Sequence, residues 1–470
     1  MKIFNGGNTI FHKKYLPFAV KGLAFSVLSY FGVKYAARTI VKVAVNKPIK
    51  HIITDKYSEN IMDFFNSTKR SGPQVIVETN LRSEEGKVVH RPFGSPKEFT
   101  HLSDLLFNIA QLHTLPTPNN IAVDTKVTLG PKAKKPLVID IPIIVSGMAY
   151  GIALSEQTKV AIALGTARVG TATNTGEGAF SEKERKAAKK LIIQYNRAKW
   201  NKTADILKQA DMIEIQLGQG AIAGLGHFTP AKDISIKLKN KLGLAPEEDA
   251  VIPARMKGVS SEKDLKKLVD YLREITEGVP IGIKMGAGKH LEKDMSIAVS
   301  AGVDVITLDG AQAASHGSPM IIQDEFGLPT LFAVSRASKY LAHNNLKNSV
   351  SLIISGGLLT PGDFLKVLAL GADAVSIGTV ALFAVAHLEN LKALPFEPPG
   401  EILWETGQFK NKFNIKKGAH SLEKFLRSCK LELEDGVRAL GKTKISDVNK
   451  EDLFTTEPRI SAITGIDLAY

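Results

Sequence analysis

The chain has 470 residues, 44% hydrophobic and 23% charged, an ordinary globular composition with room for one or two domains. Its net charge of +14 would suit nucleic acid if it were spread over the fold. Residues 1–54, however, hold eight lysines, one arginine and no acid, which leaves +5 for the other 416 residues and argues against a nucleic-acid partner. The single cysteine, Cys429, excludes an intrachain disulfide and any all-cysteine zinc or iron–sulfur site, so no metal centre is expected.

In chain order, the basic leader at 1–50 comes first. From Tyr15 to Val33, "YLPFAVKGLAFSVLSYFGV" runs nineteen residues with one charge, Lys21, about the length of a membrane span. Lys21 lies near one end, and Tyr15, Tyr30 and Tyr35 sit near the ends as interfacial rings do. The expectation is a single N-terminal membrane helix over 15–33. Lys34, Arg38, Lys42, Lys47 and Lys50 place the bulk of the chain on the cytoplasmic side. An interfacial helix, a cleaved transit segment and a core-packed helix are the competing readings.

Residues 51–130 form an N-terminal extension. "MDFFNS" and "LSDLLFNIAQLH" predict short helices, "RPFGSPKEF" and "LPTPNN" predict turns, and "LGPKAKKP" marks a boundary. From 131 to 394, apolar β-rich runs alternate with polar helical stretches. Eight runs stand out: 141–147, 167–173, 212–218, 250–255, 281–286, 303–310, 351–357 and 373–379. Their near-continuous apolarity predicts parallel strands buried on both faces. "SSEKDLKKLVDYLREITEG" presents Leu265, Leu268, Leu272 and Ile275 at helical spacing after a run of capping residues. Eight β runs in roughly 250 residues predict an α/β fold, a (β/α)8 TIM barrel. The rival, a doubly wound sheet, would place a Gly-x-Gly-x-x-Gly turn after its first strand, where this chain has "SGMAYGIALS". Residues 395–470, with "SLEKFLRSCKLELEDGVRAL", predict a helical C-terminal extension.

The last two β runs end in Gly356-Gly357 and Gly378-Thr379. In a barrel these turns lie side by side, where bare backbone can approach a phosphate and the following helix dipoles attract it. Ser355 and Thr379 add hydroxyls. Close packing and turn chemistry are the structural alternative. The other run ends are rich in amides, hydroxyls and glycines: "VSGMAYG", "TATNTGEGAF", "EIQLGQGAIAGLGHF", "IKMGAG" and "LDGAQAASHGSP". Together they suit a large polar heterocycle with a phosphate tail.

Here the segment from about Arg91 to Leu394 resembles the FMN-binding synthase domain of the glutamate synthase large subunit. "RPFGS", "VSGMAYGIALS", "NTGEG", "IKMGAG" and "SGGLLTPGDFLKVLALGADAVSIGTVAL" carry the resemblance. It implies a barrel binding FMN, whose reduced form delivers hydride to an imino acid made from 2-oxoglutarate and ammonia. Ser146, Gly147 and Met148 would flank the flavin ring, Gln216 and Lys284 would reach ring or substrate, and Gly356, Gly357, Gly378 and Thr379 would hold the phosphate. Thr173, Asp309, Gly310 and Ser355 are further candidate cofactor contacts; Gln219, Gln312 and Ser315 are candidate substrate contacts. Lys284 is the first candidate for chemistry, because a fixed cation stabilises reduced, anionic flavin; the alternative is a lysine paired with a neighbouring carboxylate. Glu177 would relay a proton or orient substrate, or merely cap a helix. His316 would act as acid or base, or stand solvated on its loop.

Three departures from the family stand out. Where the family reads Lys and then Gln-Gly-Ala-Lys-Pro-Gly, this chain has Gln216 and then "QGAIAGLG"; where it has Gly-Gly-Thr-Gly, this chain has "GAQAASHGSP". The three cluster-binding cysteines and the glutaminase domain have no counterpart. The expectation is therefore an oxidoreductase with FMN and no iron–sulfur cluster, acting on a small oxo acid or amino acid, served by a protein that donates electrons or supplies ammonia. An FMN barrel of the inosine-monophosphate-dehydrogenase kind would need a cysteine at 303–320, where none exists. A flavin-binding membrane scaffold without catalysis is the non-enzymatic alternative.

Overall fold

The computed structural model describes residues 12–395 and 397–470, with side chains from Leu28 onward except Pro399. The chain divides into two compact units between Val89 and His90. In the first, a helix runs from His12 to Thr54. A second, Ile61–Ser71, begins where the Asn60 side chain accepts from the Met62 N–H, and a third, Pro73–Glu85, starts on proline and stops at left-handed Gly86.

The long helix corrects the membrane expectation. Most of the 15–33 run falls on 12–27, whose side chains lie outside the described residues. From Leu28 onward, Lys34, Arg38, Lys42, Lys47 and Lys50 interrupt the apolar surface every three to five residues. Among the described residues no helix is long and apolar enough to cross a membrane. The single N-terminal pass, the membrane partner and the sidedness drawn from them are accordingly withdrawn.

The second unit holds a closed barrel of eight parallel strands in chain order. They are β1 (Ile143–Val145), β2 (Thr173–Asn174), β3 (Leu191–Tyr195), β4 (Met212–Gln216), β5 (Ile281–Gly286), β6 (Val305–Asp309), β7 (Ser351–Ser355) and β8 (Ala374–Ile377). Pairing of Val375 with Ile143 closes the ring. Two of the eight expected runs need correction. "LIIQY" at 191–195 is the third strand and went unpredicted. "AVIPAR" lies outside the barrel: Ala250–Ile252 pairs antiparallel with His227–Thr229. A barrel strand needs parallel neighbours on both sides, and this one has a single antiparallel partner. In the 167–173 run, only Thr173 is strand; Ala167 and Arg168 end a helix, and a turn at Val169-Gly170 leads into the strand.

The helices between strands cover the barrel. They include α1 (Glu156–Arg168), α2 (Glu262–Ile275), α3 (Leu291–Ser300), α4 (Thr330–His343), α5 (Pro361–Ala369) and α6 (Thr379–Ala386). Ser155 and Ser261 cap α1 and α2, and Thr360 with Asp363 forms a capping box on α5. In α2 the predicted face is buried at Leu265 and Leu272, joined by Val269. A hairpin of Val127–Leu129 and Leu137–Ile139 precedes β1. Its Leu129, Leu137 and Ile139 pack with inward-facing Ile144, Ile192, Met212, Val305 and Ile353, filling the end of the barrel away from the strand C-termini. After the barrel, α7 (Ile415–Ala439) buries Leu422, Leu426, Cys429, Leu433 and Val437 against α1, α5 and α6. The C-terminal segment is only partly helical, since Leu453–Thr455 and Asp467–Leu468 form a small sheet with Leu105–Phe107.

Candidate functional site

A cavity of about 1070 Å³ opens at the C-terminal ends of the barrel strands. Short apolar strands put their last polar residues there, as barrel geometry dictates. Ser146, Gly147 and Met148 after β1, Glu177 after β2, Gln219 after β4 and Lys284 on β5 line it. So do Asp309, Gln312, Ser315 and His316 from β6, Ser355, Gly356 and Gly357 from β7, and Gly378 and Thr379 from β8. Three expected contacts do not line it. Thr173 and Gln216 are wholly buried within the barrel wall. Gly310 packs against Thr330, which an added Cβ would meet at 2.1 Å from Oγ1.

The floor is a buried charge cluster. Lys284 Nζ lies 3.3 Å from Asp309 Oδ2, and both side chains are almost fully enclosed. Burial alone would weaken the Lys284 ammonium, but Asp309, Glu214 and Glu177 outweigh it and raise its proton affinity above the ordinary lysine value. Burial and the Glu214 charge push the Asp309 carboxyl up, against the pull of Lys284. Glu214, inside the barrel, accepts from Asn174 Nδ2 at 2.8 Å, Gln194 Nε2 at 3.0 Å and Thr307 Oγ1 at 3.0 Å. Lys284 is thus both a lysine facing the cavity and one paired with a carboxylate.

Glu177 stands on the loop after β2. Trp200 Nε1 donates to its backbone oxygen at 2.8 Å and Asn196 Nδ2 at 3.3 Å. Its side chain meets Gln216 Nε2 at 3.4 Å and His227 Nε2 at 3.3 Å. The loop is anchored from beneath: buried Lys159 donates to the Asn174 carbonyl at 2.7 Å and pairs with Glu184 at 3.0 Å.

At the opposite wall, Gly356 and Gly357 have φ of +113° and +67°. Thr330 Oγ1 donates to the Gly356 carbonyl at 2.7 Å, and His101 Nε2 donates to that of Gly357 at 3.1 Å. A Cβ on Gly378 would meet nothing within 4 Å, so bare backbone opens the first turn of α6 to the cavity. Ser146 Oγ and Ser376 Oγ share a hydrogen bond of 2.7 Å between β1 and β8.

Phe93, Phe383, Trp404 and His316 build an aromatic wall. Phe93 lies 5.6 Å from both Phe383 and Trp404, and His316 lies 4.9 Å from Trp404, ring centre to ring centre. Burial lowers the proton affinity of His316, and nearby His90 lowers it further. His316 thus lays its ring against Trp404 on this wall while the residue as a whole stays exposed.

The residues fit FMN. The cavity has room for a heterocycle and a small second ligand, its Gly378 turn leaves open space beside the backbone for a phosphate, and Asp309 Oδ1 is a buried acceptor without a partner among the described residues. Glu214, Gln194, Asn174, His227, Trp200 and Trp404 escaped sequence reasoning. Glu214 and Gln216 alternate in "MIEIQ", a pattern that marks two inward polar groups on a strand. His227 and Trp404 carried no local signal.

The conserved region in glutamate synthase matches residues 96–443. A glutamate synthase large subunit-like protein of Rhizobium meliloti is 32% identical, covering 81% of this chain and 90% of its own. An archaeal-type glutamate synthase (NADPH) of Dehalococcoides mccartyi is 30% identical over 83% of this chain and 81% of its own. Among solved structures, a flavocytochrome b2 variant with sulfite bound is 18% identical with a TM-score of 0.48, covering 77% of this chain and 80% of its own. The family model spans the barrel and all of α7, and on that match the chain belongs to the glutamate synthase family.

Proposed function

We propose that this chain is an FMN-dependent oxidoreductase of the glutamate synthase type, reducing an imino acid formed from ammonia and 2-oxoglutarate or a related oxo acid. The observation that carries the proposal is the Lys284–Asp309 pair on the floor of a cavity whose far wall is made of the Gly356-Gly357 and Gly378 turns. Bound FMN supplies the hydride. Gly356, Gly357, Gly378 and Thr379 hold its phosphate, and Ser146, Gly147 and Met148 line its ring. Lys284 sets a cation where reduced flavin carries negative charge. Glu177, steadied by Trp200, Asn196 and Gln216, holds or passes a proton at the substrate nitrogen. The aromatic wall excludes water from one side. Electrons come from a partner protein or a diffusible donor.

The test is direct. Purified protein supplied with FMN should show a flavin spectrum and release FMN on heating. After anaerobic reduction, an oxo acid with ammonium should reoxidise the flavin, and neither alone should do so. A protein that takes up no flavin, or a reduced flavin indifferent to every oxo acid with ammonium, would overturn the assignment.

A further inference from the structure

The charges on the cavity wall bear on the substrate class. Among the described residues two ammonium groups line the cavity, and both are engaged: Lys284 with Asp309, and Lys97 with the Asp324 carbonyl at 2.7 Å and Glu325 at 3.1 Å. The four imidazoles on the wall offer no free cation either. His101 donates to the Gly357 carbonyl, and His227 faces Glu177. The proton affinity of His90 and His316 is lowered by desolvation, which disfavours their charged forms. Against these stand the carboxylates of Glu98, Glu177, Asp233 and Asp309, which line the same cavity. A substrate with two carboxylates would bring its second one among these acids, with no unengaged ammonium on the cavity lining among the described residues.

We infer that the substrate is a 2-oxo acid with one carboxylate and an uncharged side chain, and that Glu177 receives the protonated nitrogen of its imine. The inference rests on the function proposed above and narrows it. Condensation of the oxo group with ammonium releases one water and leaves the positive charge on nitrogen. Glu177 Oε1 and Oε2 stand 3.3 Å from His227 and 3.4 Å from Gln216, held at the cavity edge to meet that charge. Gln219 Nε2 donates to Ser315 Oγ at 3.2 Å, which sets an amide and a hydroxyl together for the one carboxylate every 2-oxo acid carries.

Binding is read two ways: by perturbation of the flavin spectrum in FMN-loaded protein, and by tryptophan fluorescence, since Trp404 lies on the cavity wall. Pyruvate and 2-oxobutyrate, each with ammonium chloride, should bind at least about tenfold tighter than 2-oxoglutarate with ammonium. Glu177→Gln should remove the dependence on ammonium while the protein still folds and holds FMN. Equal or tighter binding of 2-oxoglutarate in FMN-loaded protein, or no response to either monocarboxylic acid, overturns the inference and leaves the flavin assignment standing. Protein that takes up no FMN but still prefers monocarboxylic acids by fluorescence overturns the assignment and leaves the selectivity standing.

Discussion

Lys284 Nζ and Asp309 Oδ2 meet at 3.3 Å across neighbouring strands β5 and β6, where Gly286 pairs with Asp309. Lys284 keeps its charge because three carboxylates outweigh its burial. Lys284→Met keeps the stem and deletes that charge. It leaves a buried carboxylate alone, so stability should fall by roughly 3–5 kcal/mol, and adding Asp309→Asn should recover much of it. The flavin midpoint potential should also fall. Burial and the Glu214 charge raise the proton affinity of Asp309, so without the ammonium its carboxyl takes up a proton as pH falls and offsets the lost charge. The gap between parent and Lys284→Met should therefore widen as pH rises. Denaturant titration and potentiometry over a pH series measure both effects, and midpoints that coincide at every pH would remove Lys284 from the flavin.

The glycine turns can be separated from the fold. Gly378 has open space where a side chain would begin, so Gly378→Ala should leave the melting temperature nearly unchanged and weaken FMN binding. Gly357→Asp should abolish the yellow colour by setting a carboxylate against the phosphate. It also costs stability, of order 1–2 kcal/mol for the left-handed backbone, because φ is +67° and its Cβ would meet Gln312 Cβ at 2.5 Å. Flavin content per chain, with circular dichroism as the fold control, decides both. Full FMN occupancy in both variants would place the phosphate elsewhere.

Lys159 and Glu184 form a second enclosed pair, with Lys159 also holding the Asn174 carbonyl beneath the Glu177 loop. Lys159→Met should destabilise by roughly 3–5 kcal/mol, and the double change with Glu184→Gln by less, because no lone charge then remains buried. A single variant as stable as the parent in urea would mean that the pair is not enclosed in solution.

Acid stability should carry the mark of His316. Burial depresses its folded proton affinity below that of the unfolded chain, so the unfolded state binds more protons as pH falls. Stability should therefore be complete above about pH 6.5 and decline below it. His316→Phe keeps a ring against Trp404 and removes the titration, so its melting temperature should fall less steeply between about pH 6.5 and pH 5. Parallel curves for both proteins would show that His316 does not titrate in this range.

Much of the barrel could be read from local chemistry. The runs at 141–147, 212–218, 281–286, 303–310, 351–357 and 373–379 each contain a strand, because a strand buried on both faces must be apolar nearly throughout. The paired glycines and Lys284 were also visible, since strand order and strand ends follow from chain order in a (β/α)8 fold. Non-local geometry decided the rest. "LIIQY" hides Gln194, whose amide is satisfied only by Glu214 from the next strand; "AVIPAR" looks like a barrel strand, but its partner is the antiparallel His227–Thr229. The pairing of Lys284 with Asp309, of Glu177 with His227, and the tilted ring contact of His316 with Trp404 join residues 25 to 88 positions apart in sequence. Spacing along a chain fixes which faces are apolar, whereas hydrogen bonds and charges pair through space, so only the closed barrel determines which acid meets which base.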